Sequence, residues 1–274
     1  MNILKMMKGR NLVNLIGIPV WLFLIYKGEI YYSIFMLICI GLALGEFYSL
    51  MQRKGAEPLR ILGMACSVFI ADYYYVQPTT SSHQVMGVIV LVVLMAFIWE
   101  LFTPTLNPGL NLSITFAGIL YIPVLLGTAI DLRQFDHFMD TNLTFAIVIG
   151  VWSCDSFAFI FGTIFGKRKI LPEISPKKSW VGSISGLIGS FIIFYIFYYY
   201  GILGDIFNIK DCVILSIIVG FFGQLGDFTE SMIKRDVGVK DSGTLLAGHG
   251  GVLDRFDSLI FAMPFSYLYV HFFI

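Results

Sequence analysis

The sequence predicts an all-α, polytopic integral membrane protein with about nine transmembrane helices, N-terminus cytoplasmic and C-terminus outside. Three observations carry that expectation. The composition is too apolar for a surface in water, the apolar residues fall in runs of bilayer length, and basic residues crowd into alternate loops. Of 274 residues, 57% are hydrophobic and 13% charged, against about 25% charged in an ordinary soluble domain. In a soluble fold, the 26 Phe and 14 Tyr would leave large apolar patches in water. A formal net charge of zero gives no electrostatic footprint for nucleic acid, so no nucleic-acid partner is expected.

The elements follow in order. Lys5, Lys8 and Arg10 precede the first apolar run. No small-x-small cleavage site follows Tyr26, so the run reads as a retained helix rather than a signal peptide. A crossing needs roughly 17 to 25 mostly apolar residues. Spans are expected at about 12–26, 30–51, 61–76, 85–102, 110–130, 143–165, 180–202, 212–228 and 252–274. The chain divides into 1–142, with spans one to five, and 143–274, with spans six to nine, in one continuous bundle. Basic residues set the orientation. The N-terminus, QRKGAEPLR, GKRKILPEISPKKS and the segment bearing Lys234, Arg235 and Lys240 fall on one face, the cytoplasmic one. The opposite loops, KGE, QPTTSSHQ, DLRQFDHFMDTN and GILGDIFNIKD, hold only Lys27, Arg133 and Lys210. The pairs Gly41/Gly45, Gly162/Gly166 and Gly182/Gly186 permit close helix contact in lipid. Cys39, Cys66, Cys154 and Cys212 sit in or beside apolar runs without CxxC spacing, and read as core residues.

Ionisable residues inside spans need a reason. Glu46, Glu100 and Asp72 sit near span ends and are expected to reach interfacial water. Asp155, in IVIGVWSCDSFAFIFG, lies about three turns from the basic loop and must face the bundle interior or water. The residues alone leave open whether it serves packing or chemistry. Asp227, Ser231 and Lys234 fall at i, i+4 and i+7, one stripe if the helix continues past Phe228. Glu230 stands beside them, and Asp254, Asp257 and Ser258 open the last span. Between these helix ends lies GTLLAGHGGV, where Gly248, Gly250 and Gly251 free the backbone to present N–H groups to one anion. Lys234, Arg235, Lys240, His249 and Arg255 supply positive charge. Asp227, Asp254 and Asp257 supply the hard oxygen donors that Mg²⁺ prefers. That mixture suits metal-assisted transfer of a phosphoryl-type group. Other chemistries fit poorly. GTIFGKRK has three residues between its glycines and Arg168 where a phosphate loop needs Ser or Thr, and neither GxSxG nor HExxH occurs.

Residues 231–257, SMIKRDVGVKDSGTLLAGHGGVLDRFD, resemble the signature of the phosphatidate cytidylyltransferase (CDP-diacylglycerol synthase) family. Ser231, Lys234, Arg235, Lys240, Asp241, Gly243, Leu246, His249, Gly250, Gly251, Asp254, Arg255 and Asp257 all match in register, and Ala247 departs from the family's Pro or Gly. Upstream, GQLGD and CDSFAFIFGTIFGKRKILPEISPKKSWVG are similar to the family, with departures at Phe159, Ser179 and Val181. The specific likeness covers the second half of the chain. It implies that CTP and phosphatidic acid give CDP-diacylglycerol and pyrophosphate, with Mg²⁺, K⁺ as a second ion, and a homodimer. It also implies an inner-membrane enzyme whose site faces the cytoplasm. By resemblance, Asp227 and Asp254 hold metal and act in catalysis with Lys234 and Arg255. Ser231, Arg235, Lys240, Asp241, His249, Gly250, Gly251 and Asp257 bind substrate. Lys177, Lys178 and Ser179 line the entrance, and Asp155 completes the polar cavity. A transporter would instead cluster its charges at the midplane of corresponding halves.

Overall fold

A computed structural model describes residues 17–76, 82–103, 105–243 and 250–274. Among these residues the chain is helical, without strands, and a lone antiparallel bridge joins Lys169 to Ser179. Its helices are α1 Gly17–Lys27, α2 Glu29–Gln52, α3 Arg60–Val76, α4 Ser82–Phe102, α5 Pro108–Met139, α6 Leu143–Phe165, α7 Trp180–Tyr199, α8 Ile209–Asp236, α9 Leu253–Phe256 and α10 Leu259–Phe273. Six of them, α2, α4, α5, α6, α7 and α8, are long and apolar enough to cross a membrane, which makes the architecture that of a multi-pass membrane protein. α1 and α10 are shorter apolar helices under the first and last expected spans, and α3, of 17 residues, lies under the third. The basic N-terminal residues Lys5, Lys8 and Arg10 lie outside the described residues.

Local chemistry explains most boundaries. Gly28, at φ 63°, separates α1 from α2, and a Cβ there would strike the Arg133 guanidinium. Arg133 Nε donates to the Ile25 carbonyl at 2.6 Å, capping the end of α1. Pro108 opens α5 at a position whose N–H has no helical partner anyway. Pro123, which lacks an N–H, lies in a π-helical turn at Leu120–Val124. Asn208 and Asp211 form a capping box at the start of α8, and Asp211 Oδ1 also accepts from the Tyr269 hydroxyl of α10 at 2.6 Å. The small residues pack as expected. A Cβ on Gly162 would stand 3.2 Å from the Gly182 Cα, and Gly186 and Gly189 of α7 lie against Cys154 and Phe157 of α6. All four cysteines are free and buried.

Several expected boundaries move. The fifth span continues as helix through 131–139, which the charge of DLRQFDHFMDTN had marked as loop. The helix persists because its charges find partners. Asp131 meets His271 at 2.5 Å, Arg133 caps α1, and Asp136 accepts from the Leu143 and Thr144 N–H groups at 2.7 and 2.8 Å. Glu100, expected to reach interfacial water, is only 6% exposed and accepts from Asn111 Nδ2 at 2.8 Å and from the Thr105 hydroxyl. Asp72 is exposed, as expected. The eighth span runs past Phe228 to Asp236, and the ninth divides into the short α9 and the longer α10.

Asp136→Ala should leave two buried N–H groups at the start of α6 without an acceptor, lowering stability by about 1–3 kcal/mol. A lowered melting temperature in detergent checks this; an unchanged one contradicts the capping role.

Candidate active site

The continuation of α8 builds the site. A second π-helical turn, Ile218–Phe222, precedes it. Gln224 then ties three helices together. Its Nε2 donates to the Gly220 and Ser183 carbonyls at 2.5 and 3.0 Å and lies 3.5 Å from Cys154 Sγ, and its Oε1 accepts from the Ser183 hydroxyl at 2.5 Å. One turn later, Asp227 is held at a fixed depth against α6 and α7. Its Oδ2 meets Lys178 Nζ at 2.5 Å, and Ser231 Oγ lies 3.4 Å from its Oδ1. Lys178 also stands 4.3 Å over the Phe228 ring, a cation–π contact. Its loop, between α6 and α7, is pinned by the Lys169–Ser179 bridge and by the Ser179 hydroxyl, which accepts from Gly182 N at 3.2 Å and caps α7.

This corner surrounds a cavity of about 600 Å³. Asp155, Lys177, Lys178, Ser179, Gln224 and Asp227 form much of its polar wall. Ala158, Phe159 and Ile170 line it too, and Phe159 is 74% exposed on the outer surface of α6. The cavity therefore combines a charged interior with an apolar edge on a membrane-length helix.

Lys234, two helical turns along the same stripe, anchors a second polar centre. Its ammonium reaches Glu230 at 2.5 Å and Asp254 Oδ1 at 2.7 Å. Asp254 also accepts from Ser242 N at 2.9 Å, Ser242 Oγ at 3.0 Å and Gly251 N at 2.6 Å. The lysine charge and these three donors compensate the partly buried Asp254 carboxylate. Asp257, just ahead of α10, accepts from the Ser258 N–H at 2.7 Å, and its backbone carbonyl lies against Gly226, next to Asp227. Asp155 and Asp227 line the cavity, with Lys178 as their cation.

The remaining expected residues separate. Arg235 ties the end of α8 to the α6–α7 loop, donating to the Ile174 and Val239 carbonyls at 3.2 and 2.7 Å. Lys240, Asp241 and Arg255 are exposed. His249 and Gly248 lie outside the described residues. Gly250 has φ 80°, and a Cβ there would strike the Asp254 carboxylate. Residues 244–249 of the expected anion nest lie outside the described residues, and the described N–H groups beside it face the protein's own carboxylates. Gly251 N donates to Asp254, and the Val252 and Leu253 N–H groups donate to Glu46 of α2 at 2.8 Å each. Sequence reasoning missed Glu46, Ser183, Gln224 and Ser242. Gln224 had a signal, its place in GQLGD; Glu46 had none, because a single acid near a helix end is also what an interfacial residue looks like.

Among the described residues, no three acidic, imidazole or thiol side chains converge into a preformed metal cage. Mg²⁺ at nucleotide sites usually takes one or two carboxylates and completes its shell with waters and substrate phosphates. Asp227 and Asp254 are hard oxygen donors, and each already holds an ammonium where a cation is wanted. The donor set fits the ion.

The profile described as "Cytidylyltransferase family" matches residues 8–273. The chain belongs to this family, which makes it a nucleotidyltransferase. Among its relatives, proteins named phosphatidate cytidylyltransferase are 30% identical in Bacillus subtilis, over 95% of this chain and 96% of the relative, and 31% identical in Staphylococcus aureus strain COL, over 94% and 96%. One of the same name from Haemophilus influenzae is 43% identical over 60% of this chain and 58% of its own length.

Gly250→Ala should place a methyl group against Asp254 in a backbone conformation costing about 1–2 kcal/mol for an L-residue. Nucleotidyl transfer should fall steeply while helical content by circular dichroism stays unchanged. Full activity would contradict the packing of Gly250 on Asp254.

Proposed function

We propose that this chain performs the reaction that its relatives' name states, transferring the cytidylyl group of CTP to phosphatidic acid. A phosphate oxygen of the lipid forms a bond to the α-phosphorus of CTP. The bond from that phosphorus to the α–β bridging oxygen breaks, and pyrophosphate leaves with the electron pair. CDP-diacylglycerol is the other product. The observation that carries this reading is the Lys178–Asp227 pair inside a cavity with an apolar edge on α6. A substrate with a charged head and acyl tails needs both surfaces.

The lipid phosphate is already an anion, so no strong general base is required. The obstacle is repulsion between two anions, which preorganised cations relieve. Lys177 and Lys178 receive phosphate charge in the cavity, and Lys234 orients Asp254. Asp227 and Asp254 hold Mg²⁺, which when bound neutralises developing charge on the phosphates. K⁺ is the second ion of this proposal. Gln224 fixes the depth of Asp227, while Asp155 and Asp257 keep the field around it negative. Nine spans place the N-terminus and the active site on the cytoplasmic side of the inner membrane, supported by the Lys/Arg bias of the loops. The family likeness supports a homodimer.

Purified protein given CTP, phosphatidate and Mg²⁺ should release pyrophosphate and yield a cytidine-bearing lipid. Release independent of phosphatidate, or none, would reject the reading. Asp227→Asn and Asp254→Asn should each lower kcat/KM by about 100-fold or more, since several kcal/mol of charge stabilisation is at stake at 1.36 kcal/mol per tenfold. Chelation should abolish turnover, and added Mg²⁺ should restore it.

A further inference from the structure

We infer that Glu46, on α2 and far from the signature segment in sequence, is a positioning residue for nucleotidyl transfer: its carboxylate ties the Ser242 hydroxyl to the Val252 and Leu253 backbone N–H groups that lead into Asp254. The inference rests on the reading of Asp254 as a metal-holding group. Glu46 Oε1 accepts from Val252 N at 2.8 Å. Its Oε2 accepts from Leu253 N at 2.8 Å and from Ser242 Oγ at 2.9 Å. These donors bracket the loop, Ser242 before it and Val252–Leu253 after it. Ser242 is also the residue whose N–H and hydroxyl hold Asp254.

Two further observations point the same way. First, a serine hydroxyl has one proton to donate. Ser242 Oγ lies 2.9 Å from Glu46 Oε2 and 3.0 Å from Asp254 Oδ2, so the two carboxylates compete for it. A change of charge at Glu46 is therefore felt at Asp254 through one atom. Second, Glu46 accounts for two glycines of the signature segment. A Cβ at Gly243 would come within 2.7 Å of Glu46 Oε1, and one at Gly251 would collide with Glu46 Oε2 and Ser242 Oγ. Both glycines leave room for a carboxylate that arrives from the first half of the chain. Outer-shell groups of this kind orient a metal ligand, and their loss typically costs about 10- to 100-fold in metal affinity or activity.

Full-length Glu46→Gln protein, purified in detergent, provides the test. The amide is isosteric but turns an NH₂ toward N–H and hydroxyl donors. The Mg²⁺ concentration for half-maximal activity should rise about 10- to 100-fold, with KM for phosphatidate unchanged. In the metal-free protein, amide hydrogen exchange over 250–257 should accelerate. Should Glu46→Gln fail to fold, Ser242→Ala, which removes the hydroxyl shared by Glu46 and Asp254, should shift the Mg²⁺ curve in the same direction and accelerate exchange at Val252 and Leu253. A Mg²⁺ curve coincident with wild type, whether or not the melting temperature falls, would reduce Glu46 to a structural tether and overturn the inference. Unchanged amide exchange would overturn it as well. Failure of the broader reading looks different: wild-type protein would show no CTP- and phosphatidate-dependent pyrophosphate release, and the exchange comparison would still decide whether Glu46 pins the loop.

Discussion

An ionised side chain is stable inside an apolar bundle only where an opposite charge or a set of donors meets it. That constraint organises this protein. Asp227 is met by Lys178, Asp254 by Lys234 and the N–H groups of Ser242 and Gly251, and Glu46 by Val252, Leu253 and Ser242. None of these partners is a neighbour in sequence of the group it satisfies, except across the turn from Gly251 to Asp254. The helices must therefore assemble before the charges are compensated, and the compensation in turn fixes the assembly. In the proposed reaction Lys178, which stabilises Asp227, also carries charge that an incoming phosphate needs.

The architecture serves that arrangement by small departures from ideal helix. The π-helical turn of α8 comes just before Gln224, whose side chain joins α6, α7 and α8 a single turn from Asp227. The glycines of α7 bring it close enough to α6 for the loop between them to deliver Lys178 to α8. The division of the last apolar run into α9 and α10 leaves Asp254 and Asp257 on a corner rather than inside a continuous helix. In each case a local feature places one charged residue. α4 has few such ties, and most of its length exposes apolar side chains such as Met86, Leu91 and Phe97, as a helix at the edge of the bundle does.

The helical class and the positions of the apolar runs were legible because the period and length of such runs report directly on their solvent. The stripe Asp227–Ser231–Lys234 was legible for the same reason: helical spacing carries through whether or not the segment is apolar. What composition hid were the places where charge is internal. Residues 131–139 carry Asp131, Arg133, Asp136 and His137, which as isolated letters read as loop; their partners Ile25, Leu143 and His271 come from other helices. Glu100 and Glu46 read as interfacial acids, yet one is buried against Asn111 and the other enters the site. Long-range pairing leaves no local mark, so a side chain's distance from a span end says little about whether it meets water or protein. The glycine-rich stretch was legible as a place of close approach. Which anion approaches was not: at Gly251 and its neighbours it is the protein's own carboxylates.

The central claim is that Asp227 of α8 and Asp254 of α9, the latter held by Lys234 of α8, cooperate in holding the cation that lets two phosphates meet. A structure of the protein with a non-hydrolysable CTP analogue and Mn²⁺ in place of Mg²⁺ tests it most directly. The account predicts an anomalous peak in contact with Asp227 and Asp254, with the nucleotide phosphates against Lys178 in the cavity. A peak distant from both carboxylates, or phosphates bound away from that cavity, would contradict it.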